Sequence, residues 1–277
     1  MFFHDYASWS PNAIAALAGL AQSEEWEYQR ATSEHPLPIL RNYIVYTFRR
    51  AHFQGRVTEM VDTDGSKHAA FNTGLLTPHF ESIYGYFVEQ SRTEFRQPWF
   101  LVGFFPASDY RLVRFQRLPE RASYFDNPAD LLYDTRLDLR VQYEHIVNDN
   151  VERFPLGLQE DERRRVEAVR QAVNHAEYRV QQNYKTAIPQ FYWQSRGDDE
   201  PGRMQLLLPL CLEDVNRADL ALSVDRVGDV YRAATVLTLD MAYNNARLIT
   251  RPDHEWLEPL PPAYGSSAGF DEPDSSD

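Results

Sequence analysis

The stretch LALSVDRVGDVYRAATVL, Leu220 to Leu237, holds two strand-forming runs joined across Gly228-Asp229, the chemistry of a tight β-hairpin. Working outward, Ala187 to Trp193 and Arg203 to Leu212 read as two further strands. Four strands in succession through short turns predict an antiparallel meander. From Asp161 to Gln182 the pattern is helical, with Val166, Val169, Val173, Ala176 and Val180 as the inward line. A closing helix is expected from Leu239 to Ile249, with Met241, Ala242, Asn245 and Leu248 on one side. The C-terminal half therefore reads as a meander flanked by helices, and the whole chain as α+β.

Toward the N-terminus, Ser10 and Pro11 open a helix predicted to Ala21, burying Ile14, Leu17, Ala18 and Ala21. A second helix is expected from Pro38 to Gln54, stopped by Gly55. VTEMV, the turn Asp64-Gly65 and HAAF read as a β-hairpin. Helices followed by a hairpin fit either a winged-helix-like unit or, more commonly, the edge of a larger α+β domain. Thr77-Pro78 is predicted to open another helix, because Phe80, Ile83, Tyr84 and Phe87 follow helical spacing. The uniformly apolar PWFLVGFF (Pro98 to Phe105) predicts a strand buried on both faces. Leu137, Leu139, Val141 and Tyr143 alternate with polar residues, as in a half-buried strand. The organisation expected is an N-terminal helical and hairpin region over 1–95, an α+β domain over 96–258, and a disordered acidic tail over 259–277.

A formal charge of −13 argues against broad attraction to nucleic acid or anionic membrane, although a folded body of that charge can carry a local basic groove. No stretch approaches the roughly 18 apolar residues of a membrane helix. The start MFFHDYASW places His4 and Asp5 where a secretory signal needs an apolar core, which predicts a cytosolic protein. The single cysteine, Cys211, lies in the apolar run QLLLPLCL and reads as a packing residue in a reducing compartment.

Among 28 basic residues only Lys67 and Lys185 are lysine. Lys185 sits in NYKTAIPQFYW (Asn183 to Trp193), where a compact amine can serve as nucleophile, base or phosphate ligand in ways a guanidinium cannot. The bland alternative is a cation that suits a helix C-terminus. Lys185-Thr186 lacks the glycines of a P-loop, and a ligase-type lysine would need a different setting. GSSAG (Gly265 to Gly269) matches a nucleophile-elbow pattern but falls in the Pro/Ser/Asp-rich tail, without the strand and helix that the motif requires. No zinc-type spacing occurs, so no structural zinc is expected, and no cofactor is specified. FNTGL (Phe71 to Leu75) reads first as a turn capping the hairpin and second as a ligand contact through Asn72. YDTR (Tyr133 to Arg136) reads as an ion-paired loop or as part of a site. Asp240, Asn244 and Arg247 share one helix face, and adjacent Asn244 and Asn245 need backbone partners or a site to explain them.

The blocks HPLPILRNYIVYTF, FNTGL, LPERASYFDNPADLLYDTRL, NYKTAIPQFYW, LLLPLCL and LTLDMAYNNARLI together resemble a family of bacterial domains of unknown function, from about Phe3 to Leu257. No reaction is attached to that family, and its members stand alone or beside small nucleic-acid-binding domains. The resemblance thus implies RNA or nucleotide handling. The leading expectation is a cytosolic protein that binds RNA or a nucleotide-like ligand in a small cleft beside the meander. Lys185 and Arg232 would hold phosphate, Tyr184 would stack, and Asn72, Gln190 and Asn244 would read polar edges, with Tyr133 and Arg136 nearby. Two alternatives stand beside it. One is an enzyme on a phosphorylated or nucleotide substrate, using Asp134 or Asp240 with Lys185. The other is a protein-interaction module built on the N-terminal helices and hairpin.

Overall fold

The computed structural model describes residues 3–92, 94–193 and 202–252. The acidic tail and GSSAG lie outside these residues. The N-terminal half is α1 (Phe3–Tyr6), β1 (Ala7–Trp9), α2 (Ala13–Leu20), α3 (Pro38–Phe53), β2 (Val57–Val61), β3 (Lys67–Leu76), β4 (Ser82–Glu89) and β5 (Trp99–Pro106). The C-terminal half is β6 (Asp138–Val141), α4 (Tyr143–Asn148), α5 (Leu156–Gln159), α6 (Glu162–Gln182), β7 (Ile188–Tyr192), β8 (Arg203–Leu210), β9 (Leu220–Val227), β10 (Val230–Thr238) and α7 (Leu239–Arg247). Two five-stranded sheets result, ordered β1-β5-β4-β3-β2 and β6-β10-β9-β8-β7, so the fold is α+β.

The second sheet contains the expected meander from β7 to β10, with Gly228 at positive φ in the last hairpin. β6 joins β10 in parallel at its edge. Asp161 caps α6 by accepting from the Arg164 amide at 3.0 Å, and Thr238 caps α7 through the Met241 amide. One face of the second sheet packs on α6, where Val169, Val173, Ala176 and Val180 meet Leu206, Leu208, Leu222 and Val236. Arg165 is also buried on α6; its guanidinium donates to the carbonyls of Val147, Leu158 and Gln159 at 2.8 to 2.9 Å and so closes the ends of α4 and α5.

The opposite face shares one core with the first half. Ile188, Leu207, Ala221 and Leu237 pack with Leu17, Ile44 and Phe48 of the N-terminal helices, Ala242 and Ala246 of α7, and Phe71, Ile83 and Phe87 of the first sheet. The layers run α6, second sheet, helices α7 and α3, first sheet. Phe3, Phe48, Phe71 and Phe87 form an aromatic cluster at centroid distances of 4.8 to 6.1 Å. Such pairs contribute about 0.5–1.5 kcal/mol each beyond their burial.

Several elements differ from expectation. The hairpin β2–β3 is the edge of the five-stranded sheet and not a wing, and that sheet takes β5 from beyond residue 96. The helix expected from Thr77-Pro78 is a tight turn followed by β4. Thr77 Oγ1 accepts from the amides of His79 and Glu81, Phe80 turns outward at φ 64, and the chain re-emerges extended at Ser82. Both faces of β4 are covered: Ile83 and Phe87 enter the shared core, while Tyr84 and Tyr86 pack on Leu112 and Phe115. That double coverage produced the false helical stripe. β5 is buried on one face only, because a bulge opposite Tyr86 and Phe87 turns Val102 outward. FNTGL lies inside β3, not at a hairpin end. Gly74 sits there at φ +75, where a Cβ would come within 2.7 Å of the Tyr43 hydroxyl, and that hydroxyl donates to the Thr73 carbonyl.

On the outer face of the first sheet, His68 is buried between charged and polar partners. Its Nδ1 lies 2.8 Å from the Tyr86 hydroxyl, and its Nε2 lies 2.7 Å from Arg114 Nη1 and 2.9 Å from Ser66 Oγ. A guanidinium only donates, so Nε2 accepts and the ring is neutral with its proton on Nδ1. Burial, then the Arg114 charge, push the His68 pKa below 6.5, and burial lowers His52 in the same direction. The unfolded chain therefore takes up these protons first as pH falls. The stabilisation is complete above about pH 6.5 and is lost below it. Thermal melts are expected to show the midpoint falling from pH 7.5 to 5.5, with a shallower slope in His68→Gln; an unchanged slope in that variant would contradict the assignment.

Candidate functional site on the polar face of the second sheet

Alternation along β8 and β9 places Arg203, Gln205 and Leu207, then Ala221, Ser223 and Asp225, on the face that α7 only partly covers. Gln190 of β7 stands opposite Gln205, and Thr235 of β10 opposite Ser223. A bulge at Ala234 bends β10 at this point. Where α7 ends its cover, a cleft of about 290 Å³ opens. Gln205, Ser223, Asp225 and Thr235 form its floor, Asn150, Arg153, Tyr192 and Arg203 its polar walls, and Leu237 and Met241 its apolar end.

Beneath the floor runs a buried amide relay. Asn245 Nδ2 of α7 donates to Gln190 Oε1 at 2.9 Å. Gln190 Nε2 donates to Gln205 Oε1 and Ser223 Oγ, each at 2.9 Å, and Ser223 Oγ donates to Gln205 Oε1 at 2.9 Å. Gln205 Nε2 then donates to Asp225 Oδ1 at 2.9 Å, and Arg203 holds Asp225 Oδ2 at 3.1 Å. Gln190 is completely buried, and Gln205 and Ser223 nearly so. Half-satisfied networks of this kind are costly, whereas complete ones hold side chains in one arrangement. Arg153 Nη1 donates to the Val236 carbonyl at 2.6 Å, which holds one edge of its guanidinium at the rim.

Of the residues anticipated from sequence, Gln190 is the centre of this relay, and Arg232 lies opposite Asp225 in the β9–β10 register. The others are elsewhere. Lys185 and Tyr184 stand exposed on a short 3-10 turn after α6 and do not line the cleft. Asn72 accepts from the Gly74 amide within β3. Asp240 is buried and receives the backbone amides of Gln29, Arg30 and Ala31 at 2.9 to 3.2 Å, fastening that loop to α7. Asn244 donates to the Tyr28 hydroxyl and to the Asp240 carbonyl, while its buried Oδ1 has no hydrogen-bond partner among the described residues. Tyr133 stacks on Tyr231 at 4.4 Å and its pKa is raised, chiefly by burial. Asp134 is chelated by Arg136, which holds its carboxyl at about 2. No hydrogen bond or ion pair among the described residues joins Lys185 to Asp134 or Asp240.

Tyr231 also lines a second cleft of about 350 Å³, with Asp130, Leu132, Met204, Arg226 and Gln205 of the relay, but Ser223, Asp225 and Arg203 line only the first. Sequence reading singled out Asn245 as needing partners or a site but passed over Asn150, Arg153, Tyr192, Arg203, Gln205, Ser223 and Asp225. The signal available was Gln205 and Ser223 interrupting otherwise apolar central strands, because a buried polar side chain needs partners.

No helix among the described residues is long and apolar enough to cross a membrane. Compared with curated proteins and with solved structures, the chain finds no match in either. The model of a domain of unknown function, DUF3825, matches residues 17–256, and the chain belongs to that family.

Proposed function

We propose that this protein binds a small phosphate-bearing, nucleotide-like ligand in the cleft on the polar face of the second sheet. The observation that carries this reading is the fully bonded relay from Asn245 to Asp225 beneath a rim holding Arg153 and Arg203. Buried polar groups locked in one arrangement are what a selective site requires. Planar guanidinium groups suit phosphate oxygens, and Tyr192 supplies an aromatic face beside them. Arg153 has no carboxylate among its described ion-pair partners, so its charge is available to an anion. The formal charge of −13 favours a confined site over a long track for a polyanion.

Isothermal titration with the four nucleoside 5′-monophosphates is expected to show saturable binding of at least one. Arg153→Ala should weaken it about tenfold or more, the effect of removing one charge-assisted hydrogen bond. Lys185→Ala should leave it unchanged. Absence of binding by all four, or equal binding by Arg153→Ala, would overturn the proposal.

A further inference from the structure

The relay has a direction, and the direction says what its end can recognise. A carboxylate only accepts hydrogen bonds, so Gln205 must present its amide nitrogen to Asp225. Gln205 Oε1 then faces Gln190 Nε2 and the Ser223 hydroxyl, which leaves Gln190 Oε1 for Asn245. Every amide orientation follows from Asp225 at the terminus. Each Asp225 oxygen has one partner, Gln205 on Oδ1 and Arg203 on Oδ2, and each keeps a lone pair. Asp225 is partly open to the cleft, its side chain 25% exposed. A phosphate beside it would be repelled, so a ligand group docking there must donate.

We infer that Asp225 reads the vicinal hydroxyls of a ribose, making the ligand a ribonucleotide with a free 2′,3′-diol; this rests on the nucleotide reading of the cleft. Two adjacent hydroxyls match two carboxylate oxygens, a pairing that dinucleotide-binding folds also use. The surroundings of Asp225 fit a sugar. Ser223 and Thr235 supply small hydroxyl groups beside it, and the cleft turns apolar at Leu237 and Met241, where a base would pack. The phosphate goes to Arg153, away from the carboxylate. A free diol exists in a mononucleotide and at the 3′ end of RNA, and in no internal nucleotide of a strand.

The test titrates AMP, 2′-deoxy-AMP, a pentaadenylate ending in a 3′ diol and the same oligomer ending in a 3′ phosphate into the wild type and Asp225→Asn. Expected is a preference of about tenfold for AMP over 2′-deoxy-AMP, falling to about twofold or less in Asp225→Asn. Binding of the diol-ended oligomer but not the phosphate-ended one extends the site to RNA ends, and binding of AMP alone confines it to free nucleotides; both support the inference. Equal binding of AMP and 2′-deoxy-AMP overturns it while leaving the nucleotide reading intact. So does a ribose preference that Asp225→Asn retains. Binding of none of the four probes, and of none of the other three nucleoside 5′-monophosphates, overturns both; where one of those three binds in place of AMP, its ribo and 2′-deoxy forms make the same comparison.

Discussion

Glu24→Ala is expected to destabilise the protein by about 3–5 kcal/mol, the cost of leaving a buried charge without its partner. Arg247 and Glu24 form a bidentate pair, with side chains only 9% and 8% exposed, in the helical layer between the sheets. The guanidinium also lies over Tyr43 at 4.6 Å and Trp26 at 5.2 Å. Burial alone pulls the Arg247 pKa down, yet the hydrogen bond and charge of Glu24, with the Tyr43 and Tyr243 hydroxyls, together outweigh it and the net shift is upward. Arg247 therefore stays charged, and removing Glu24 strands it. Thermal denaturation should show a fall in midpoint on the order of 10 °C. The double variant Glu24→Gln with Arg247→Met should recover much of the loss, because it removes the buried charge itself. A loss below about 1 kcal/mol in Glu24→Ala, the range of exposed pairs, would show that the layer admits water.

Gln190→Leu is expected to cost about 2–4 kcal/mol and to abolish ligand binding together. Leucine fills nearly the same volume, so packing alone predicts a small effect. Three partners lose a bond at once: Asn245 Nδ2 its acceptor, and Gln205 Oε1 and Ser223 Oγ a donor. Ser223 Oγ still donates to Gln205 Oε1, so the cost comes from Asn245 Nδ2 left without its acceptor and from one bond lost at each of the other two groups, about 1 kcal/mol each, offset in part by the added apolar burial. Gln205 is then held only by Ser223 and Asp225, and its hold on the Asp225 carboxylate loosens. Ser223→Ala makes the comparison, since Gln205 Oε1 keeps its bond from Gln190 and only about 1 kcal/mol is expected. Chemical denaturation and titration of the same samples check both effects. A stabilised Gln190→Leu would mean that the relay is not required for the fold.

Where local periodicity and burial agreed, the fold was legible. The strands β7 to β10 are short apolar runs, α6 carries one apolar stripe, Gly65 and Gly228 turn the β2–β3 and β9–β10 hairpins, and all lie within a few residues of expectation. β4 was not legible, because apolar residues on both its faces erase the period of two and leave an accidental spacing of three and four. The alternation at Leu137 to Val141 gave β6 as a strand, but the three-residue β1 and the parallel pairing of β1 and β6 with strands distant in sequence are things no local pattern reports. Of the α7 stripe, Ala242 and Leu248 are buried as expected but Met241 is 39% exposed at the cleft, and Asp240 and Arg247 are buried through partners in the 24–31 segment.

The site was legible only in part. Gln190 and Arg232, named from sequence as ligand contacts, share the sheet face that carries the candidate cleft, but neither lines it. Lys185 stood out by composition, which records residue choice and not position; it ends on an exposed turn. Arg153, 83 residues before the Val236 carbonyl it meets, was invisible for the opposite reason. It is one of many arginines, and only the fold brings it to the rim.

The most direct measurement is a crystal structure of the protein soaked with AMP. The account predicts density for one nucleotide in the cleft, its phosphate on Arg153, its ribose over Asp225 and Ser223, and the relay from Asn245 unchanged. Nucleotide bound at the Lys185 turn or in the cleft lined by Tyr231, with this cleft empty, would contradict it.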